Sequence, residues 1–302
     1  MCVTSGPATL SKTRILSFKV DEDRHFLAYS NSAKNLSNKA NSMILPVPGK
    51  VKQSDFVDTS AFPKFMEHLE AQLTPRSRSL GGSKGLDRSL GVIHFQSGMY
   101  EVFIASGGIG TSVAGLLQGK KHPVQEALKV LQPSKRPEIS KELLEWYDKF
   151  YPGWDLVVCV FGADKVMESQ PIAFTYRPLP EWKDALFYPA VDSHSGGVPN
   201  LLENVDVDHF LFAPTSRLGG ASINSHSSMP KYLIARTFTG VKQNDARQNG
   251  DWVRPLDESL LDTRMIGGMT RISPAMWATV DDTSPMHPIS EYFRDRFQKI
   301  SK

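Results

Sequence analysis

One stretch constrains this chain more than any other: Trp154-Asp155-Leu156-Val157-Val158-Cys159-Val160-Phe161, a nearly continuous apolar run. Eight residues are too few for a membrane helix, and the β-branched content favours a strand. A strand that is apolar on both faces needs a layer of structure on each side. The run therefore predicts a central strand in a multilayered domain, with Cys159 as a small core residue.

The rest of the chain supplies the layers. Alternating apolar positions predict strands over 13–20 and 25–30, and 43–49 reads as a third strand ended by its prolines. Further strands are expected over 172–176, 185–191, 210–212 and 231–238, and a hairpin around Ser97-Gly98. Helical spacing places Phe62, Phe65, Met66, Leu69 and Leu73 on one face, with Thr59 or Ser60 as the cap. A short helix opens at His122-Pro123. Ser140 is the expected cap of a stronger one carrying Leu143, Leu144, Tyr147 and Phe150, stopped by Pro152-Gly153. A last helix is expected over 289–300. The fold class is α+β: an antiparallel or mixed sheet with packed helices, compatible with an αββα layering.

With 302 residues, 40% hydrophobic and 22% charged, the chain can bury a full core. Residues 1–216 read as an α+β core domain and 217–302 as an extension that packs on it or mediates homo-oligomer formation. The net charge of +3 is too small to argue for nucleic acid. No apolar run reaches the length of a membrane helix and no signal peptide is evident, so a cytoplasmic setting is expected. The two cysteines, Cys2 and Cys159, are too few for a disulfide framework.

Two stretches carry candidate chemistry. The chain opens Met1-Cys2-Val3-Thr4-Ser5-Gly6, and removal of Met1 would put a thiol and a free α-amine on Cys2. This start resembles the Met-Cys openings of class II glutamine amidotransferases and choloylglycine-hydrolase-like amidases, both N-terminal-nucleophile hydrolases. The resemblance implies a Cys2 nucleophile acting on a small-molecule or peptide amide, without a cofactor. It departs from the amidotransferase pattern at Val3, where glycine is usual.

The second stretch holds Asp192-Ser193-His194-Ser195-Gly196-Gly197 and Asp206-Val207-Asp208-His209 at strand ends. Asp192 could orient His194 as a general base for Cys2 or Ser195, with His209 as a further candidate. Alternatively Asp192, His194, Asp208 and His209 could ligate a divalent metal. As a third reading, the aspartates bond turn amides and the histidines pack. The Ser/Gly/Arg-rich segment 74–89 reads as a solvated loop. The glycine run from Gly107 lacks a phosphate-loop ending and reads as a turn. A binding or structural protein in which Cys2 is incidental stands beside both hydrolase readings.

Overall fold

A computed structural model describes residues 3–73, 94–97, 100–106, 122–162, 167–168, 170–216, 220–224, 226–243, 246–256 and 269–272. Cys2, the loop 74–89, the glycine run from Gly107 and the helix expected over 289–300 lie outside these.

The apolar run becomes β8 (Asp155–Phe161), buried along its whole length at the centre of a five-stranded sheet. Its neighbours are β4 (Asn41–Val47) and β7 (Tyr100–Ala105), both antiparallel. Beyond them lie β1 (Val3–Thr4) and β6 (His94–Ser97), the latter forming the expected hairpin with β7.

An eight-stranded sheet packs against this one. Its path runs β14 (Ala221–Ser222), β15 (Thr237–Gln243), β13 (His209–Pro214), β2 (Ala8–Lys19), β3 (His25–Asn35), β10 (Ile172–Pro178) and β5 (Gly49–Lys50). β9 (Met167–Glu168) pairs with β3 off that path. All pairs are antiparallel except β13 with β2, which makes the sheet mixed. Two smaller ladders complete the sheets: β11 (Ala185–Tyr188), β17 (Trp252–Pro255) and β18 (Thr270–Arg271), and β12 (Asn204–Asp206) with β16 (Ala246–Gln248).

Period-two alternation sorts the side chains into three cores. Between the large sheets, Met43, Leu45, Val102, Val157 and Cys159 meet Leu27, Tyr29, Ile172 and Phe174. The other face of β8, with Leu156, Val158 and Val160, packs on α2 (Pro123–Ala127) and α3 (Lys141–Phe150). The far face of the eight-stranded sheet, with Leu16, Phe18, Phe26 and Phe212, is covered by α1 (Phe65–Leu73) through Phe65, Met66 and Leu69. The order is helix, sheet, sheet, helix, an α+β architecture. Each fully buried Leu, Val or Phe in these cores contributes roughly 1.5–3 kcal/mol relative to exposure.

Local signals acted as expected at α3, where the Ser140 hydroxyl accepts from Leu143 N at 3.1 Å and Gly153 takes φ 77° beyond the helix. Two expectations need correction. The Thr59 hydroxyl donates to the Pro171 carbonyl at 2.8 Å, and the helix starts later, at Phe65. Residues 231–238 are not one strand: α4 (Lys231–Ile234) follows Pro230, and β15 begins only at Thr237. A short apolar run fits either element, and burial of Leu233 in the outer core favoured the helical turn here. Among the described residues, no helix is long and apolar enough to cross a membrane.

Candidate functional site

The chain start and the loop 192–203 come together at one end of the sheets. Val3 and Ser193 form a parallel bridge, and Pro7 and Ser195 an antiparallel one. Thr4 N donates to Ser193 O and Ala8 N to His194 O, both at 2.9 Å. At Gly196 the backbone has φ 82°, and a Cβ there would stand 2.7 Å from Ser5 O, so the approach to the N-terminal segment requires glycine.

Three buried polar side chains hold this junction. Asn249, in the turn before β17, accepts from Asp192 N at 2.8 Å and donates to Asp192 O at 2.7 Å and Asn200 O at 3.3 Å. Asp251 takes Ala190 N at 2.6 Å and Val191 N at 2.9 Å on one oxygen, and the Tyr151 hydroxyl at 2.7 Å on the other. Burial raises the Asp251 carboxyl to about 6 despite those donors. Asn41 accepts from Gly6 N at 2.9 Å and donates to the Gly6 and Pro7 carbonyls at 3.0 and 3.1 Å. Satisfied amides of this kind fix a backbone path, because each donor or acceptor left unpaired costs about 1–3 kcal/mol.

The residues singled out from the sequence fall around this junction in unequal states. His194 Nε2 lies 2.8 Å from Asp192 Oδ1, with the two side chains 23% and 10% exposed. Asp208 instead serves backbone, its carboxylate accepting from Lys12 N at 3.1 Å and its carbonyl from Thr13 N at 3.0 Å. Those bonds hold the bulge where Lys12 adopts φ 53°. His209 is buried in β13, between Thr13 of β2 and Gln243 of β15. Burial holds its imidazole well below the usual histidine range, and the neighbouring His194 adds to the effect. The Ser195 hydroxyl accepts from Gly197 N at 3.2 Å within the turn. Among the described residues, no three His, Cys, Asp or Glu side chains converge as a metal-binding group.

Sequence reasoning passed over Asn41, Asn249 and Asp251: Asn249-Gly250-Asp251 reads as a polar turn, and Asn41, between Ala40 and Ser42, has no local pattern that points to its distant partners. The loop also carries apolar surface. Four large hydrophobic residues among those described are strongly exposed, and two, Val198 at 46% and Leu202 at 75%, belong to it.

No family model matches the chain, and no curated protein does. Among solved structures, it is similar to baculovirus P35, with 15% identity and a TM-score of 0.42 over 84% of this chain and 91% of that one. A mutated baculovirus P35 after caspase cleavage gives 13% identity and a TM-score of 0.37 over 82% and 91%. The caspase-8/P35 complex gives 14% and 0.38 over 82% and 88%.

These are P35 structures, not N-terminal-nucleophile hydrolases, and they overturn the resemblance read from Met1-Cys2. The amide-hydrolase reading, with Cys2 as nucleophile, falls with it. The physical reason is the narrowness of the signal: a cysteine after the initiator, followed by a strand, is compatible with many folds. The metal-dependent hydrolase reading is set aside too, because Asp208 is committed to the β2 bulge and His209 to the buried sheet.

Proposed function

We propose that this chain is a protein-binding module that presents the loop 192–203 to a partner protein. The observation that carries the reading is the exposure of Val198 and Leu202 on a backbone clamped by buried Asn249 and by the N-terminal segment. Apolar side chains on a pre-ordered loop bind without the entropy loss of ordering that loop. Asp192 and His194 belong to the same surface as polar contacts. Residues 217–302 serve as an extension packed on the core, a reading supported by the pairing of β15 with β13. A cytoplasmic setting goes with it, in keeping with Cys159 serving as a small buried side chain of the core.

Caspase-8, the protein bound to P35 in one of the similar structures, is the first probe. The loop alone motivates the proposal. Calorimetry would compare the full chain with a Val198→Asp, Leu202→Asp double variant. The expected result is measurable association for the parent and at least a tenfold weaker one for the variant, about 1.4 kcal/mol or more. Association that survives both substitutions unchanged would remove the loop from the interface, and no association of the parent would remove caspase-8 as its partner.

A further inference from the structure

A second polar feature lies beneath the loop, between β13, β15 and the turn that carries Asn249. A cavity of about 10 Å³ is lined there by His209, Gln243, Arg247, Asn249, Gly250 and Trp252, among others. His209 and Gln243 face each other across the β13–β15 pair, so their side chains share one face of the sheet. Both are 1% exposed.

Gln243 is the anomaly. Among the described residues, neither the oxygen nor the nitrogen of its carboxamide has a hydrogen-bond partner. Exchanging the two atoms by rotation does not help, since both ends are unpaired. Glutamine is rarely kept in such a place without something to bond. An anion would accept from the amide nitrogen and leave the oxygen orphaned. An apolar guest would satisfy neither end. Water donates and accepts at once, and a cavity of this size, on the order of 10–15 Å³, holds about one molecule.

We propose that this cavity is a binding site for a single ordered water that hydrogen-bonds the Gln243 carboxamide. His209, held neutral by burial, keeps an imidazole in the same wall, which the side chains of Arg247 and Arg271 also line. The Asn249 side chain is already spent on Asp192 and Asn200, so it contributes wall but no free amide. The water thereby completes the polar layer under the loop, between the eight-stranded sheet and the turn that clamps residues 192–200. The proposal does not depend on what the loop binds.

The test is a high-resolution crystal structure of the full chain, grown with chloride and again with bromide. The expected result is one density peak within hydrogen-bond distance of the Gln243 carboxamide, with no anomalous signal in bromide. An empty cavity would overturn the proposal, and so would an anomalous bromide peak, which would mark an anion site. In solution, water-to-amide cross-relaxation at the cavity wall should be present in the parent and lost in Gln243→Met, which fills a similar volume without polar ends. Cross-relaxation unchanged in that variant would equally contradict it.

Discussion

β8 and the loop 192–203 are both held firmly, by opposite means. β8 is enclosed on two faces by apolar side chains from two cores, and its antiparallel neighbours take its backbone. The loop places Leu201 in a core but is otherwise fixed by Asn249, by Asp251 at the two residues just before it, and by backbone bonds to residues 4–8. Apolar burial is non-directional and sums over many atoms, so it yields by degrees. A polar clamp is directional, and one lost partner orphans several buried groups at once.

The largest effect should come from the apolar side. Phe103→Ala in β7 removes a fully buried ring against β8 and should cost about 3–5 kcal/mol, read as a lower Tm and urea midpoint for the whole chain. A loss confined to the loop would break the distinction between the two regions.

Next is the pH response of the clamp. The Asp251 carboxyl stands raised to about 6 from 3.8, so the folded state holds its proton more tightly than the unfolded chain does. The stability it confers is therefore fully present below pH 3.8 and is lost as pH rises towards and through about 6. That tighter hold on the proton corresponds to about 3 kcal/mol. His25, lowered to about 4 by burial, acts in the opposite direction, destabilising the fold as pH falls through the same window. Urea unfolding at both ends of this range should show parent stability falling by about 3 kcal/mol relative to Asp251→Asn as pH rises. A constant difference would mean that the three donors keep Asp251 ionised throughout.

Gly196→Ala should cost about 1–2 kcal/mol, from the left-handed backbone and the approach to Ser5, and should loosen the loop before the core. Smallest of all, Val198→Asp with Leu202→Asp should leave stability within about 0.5 kcal/mol, because both side chains already face water. A larger loss would mean that they support the fold rather than the surface.

The same contrast explains what could be read from the sequence. A continuous apolar run marked β8, and apolar patterning marked most of β2, β3, β4 and β10 and the buried face of α3, because the core leaves its signature in the residues that form it. Ser140 was legible because a cap bonds within its own turn. Asn249 and Asp251 were not, since the groups they satisfy lie 49 to 100 residues away in sequence. The parallel pairing of β13 with β2 was equally hidden, for register between distant strands has no local pattern. Asp192 and His194 were found by residue type and do lie together, at 2.8 Å, but adjacency of an acid and an imidazole does not make a catalyst.

The most direct measurement is amide hydrogen exchange in the parent and in Asn249→Ala. The amides of Thr4, Ala8 and Asp192 should be protected in the parent to a degree approaching Val158 and Val160 of β8. In the variant, which orphans the Asp192 amide and carbonyl and the Asn200 carbonyl, protection should fall at those positions while β8 keeps its own. Rapid exchange of Asp192 in the parent would contradict the account, because the loop would then be no clamped surface at all.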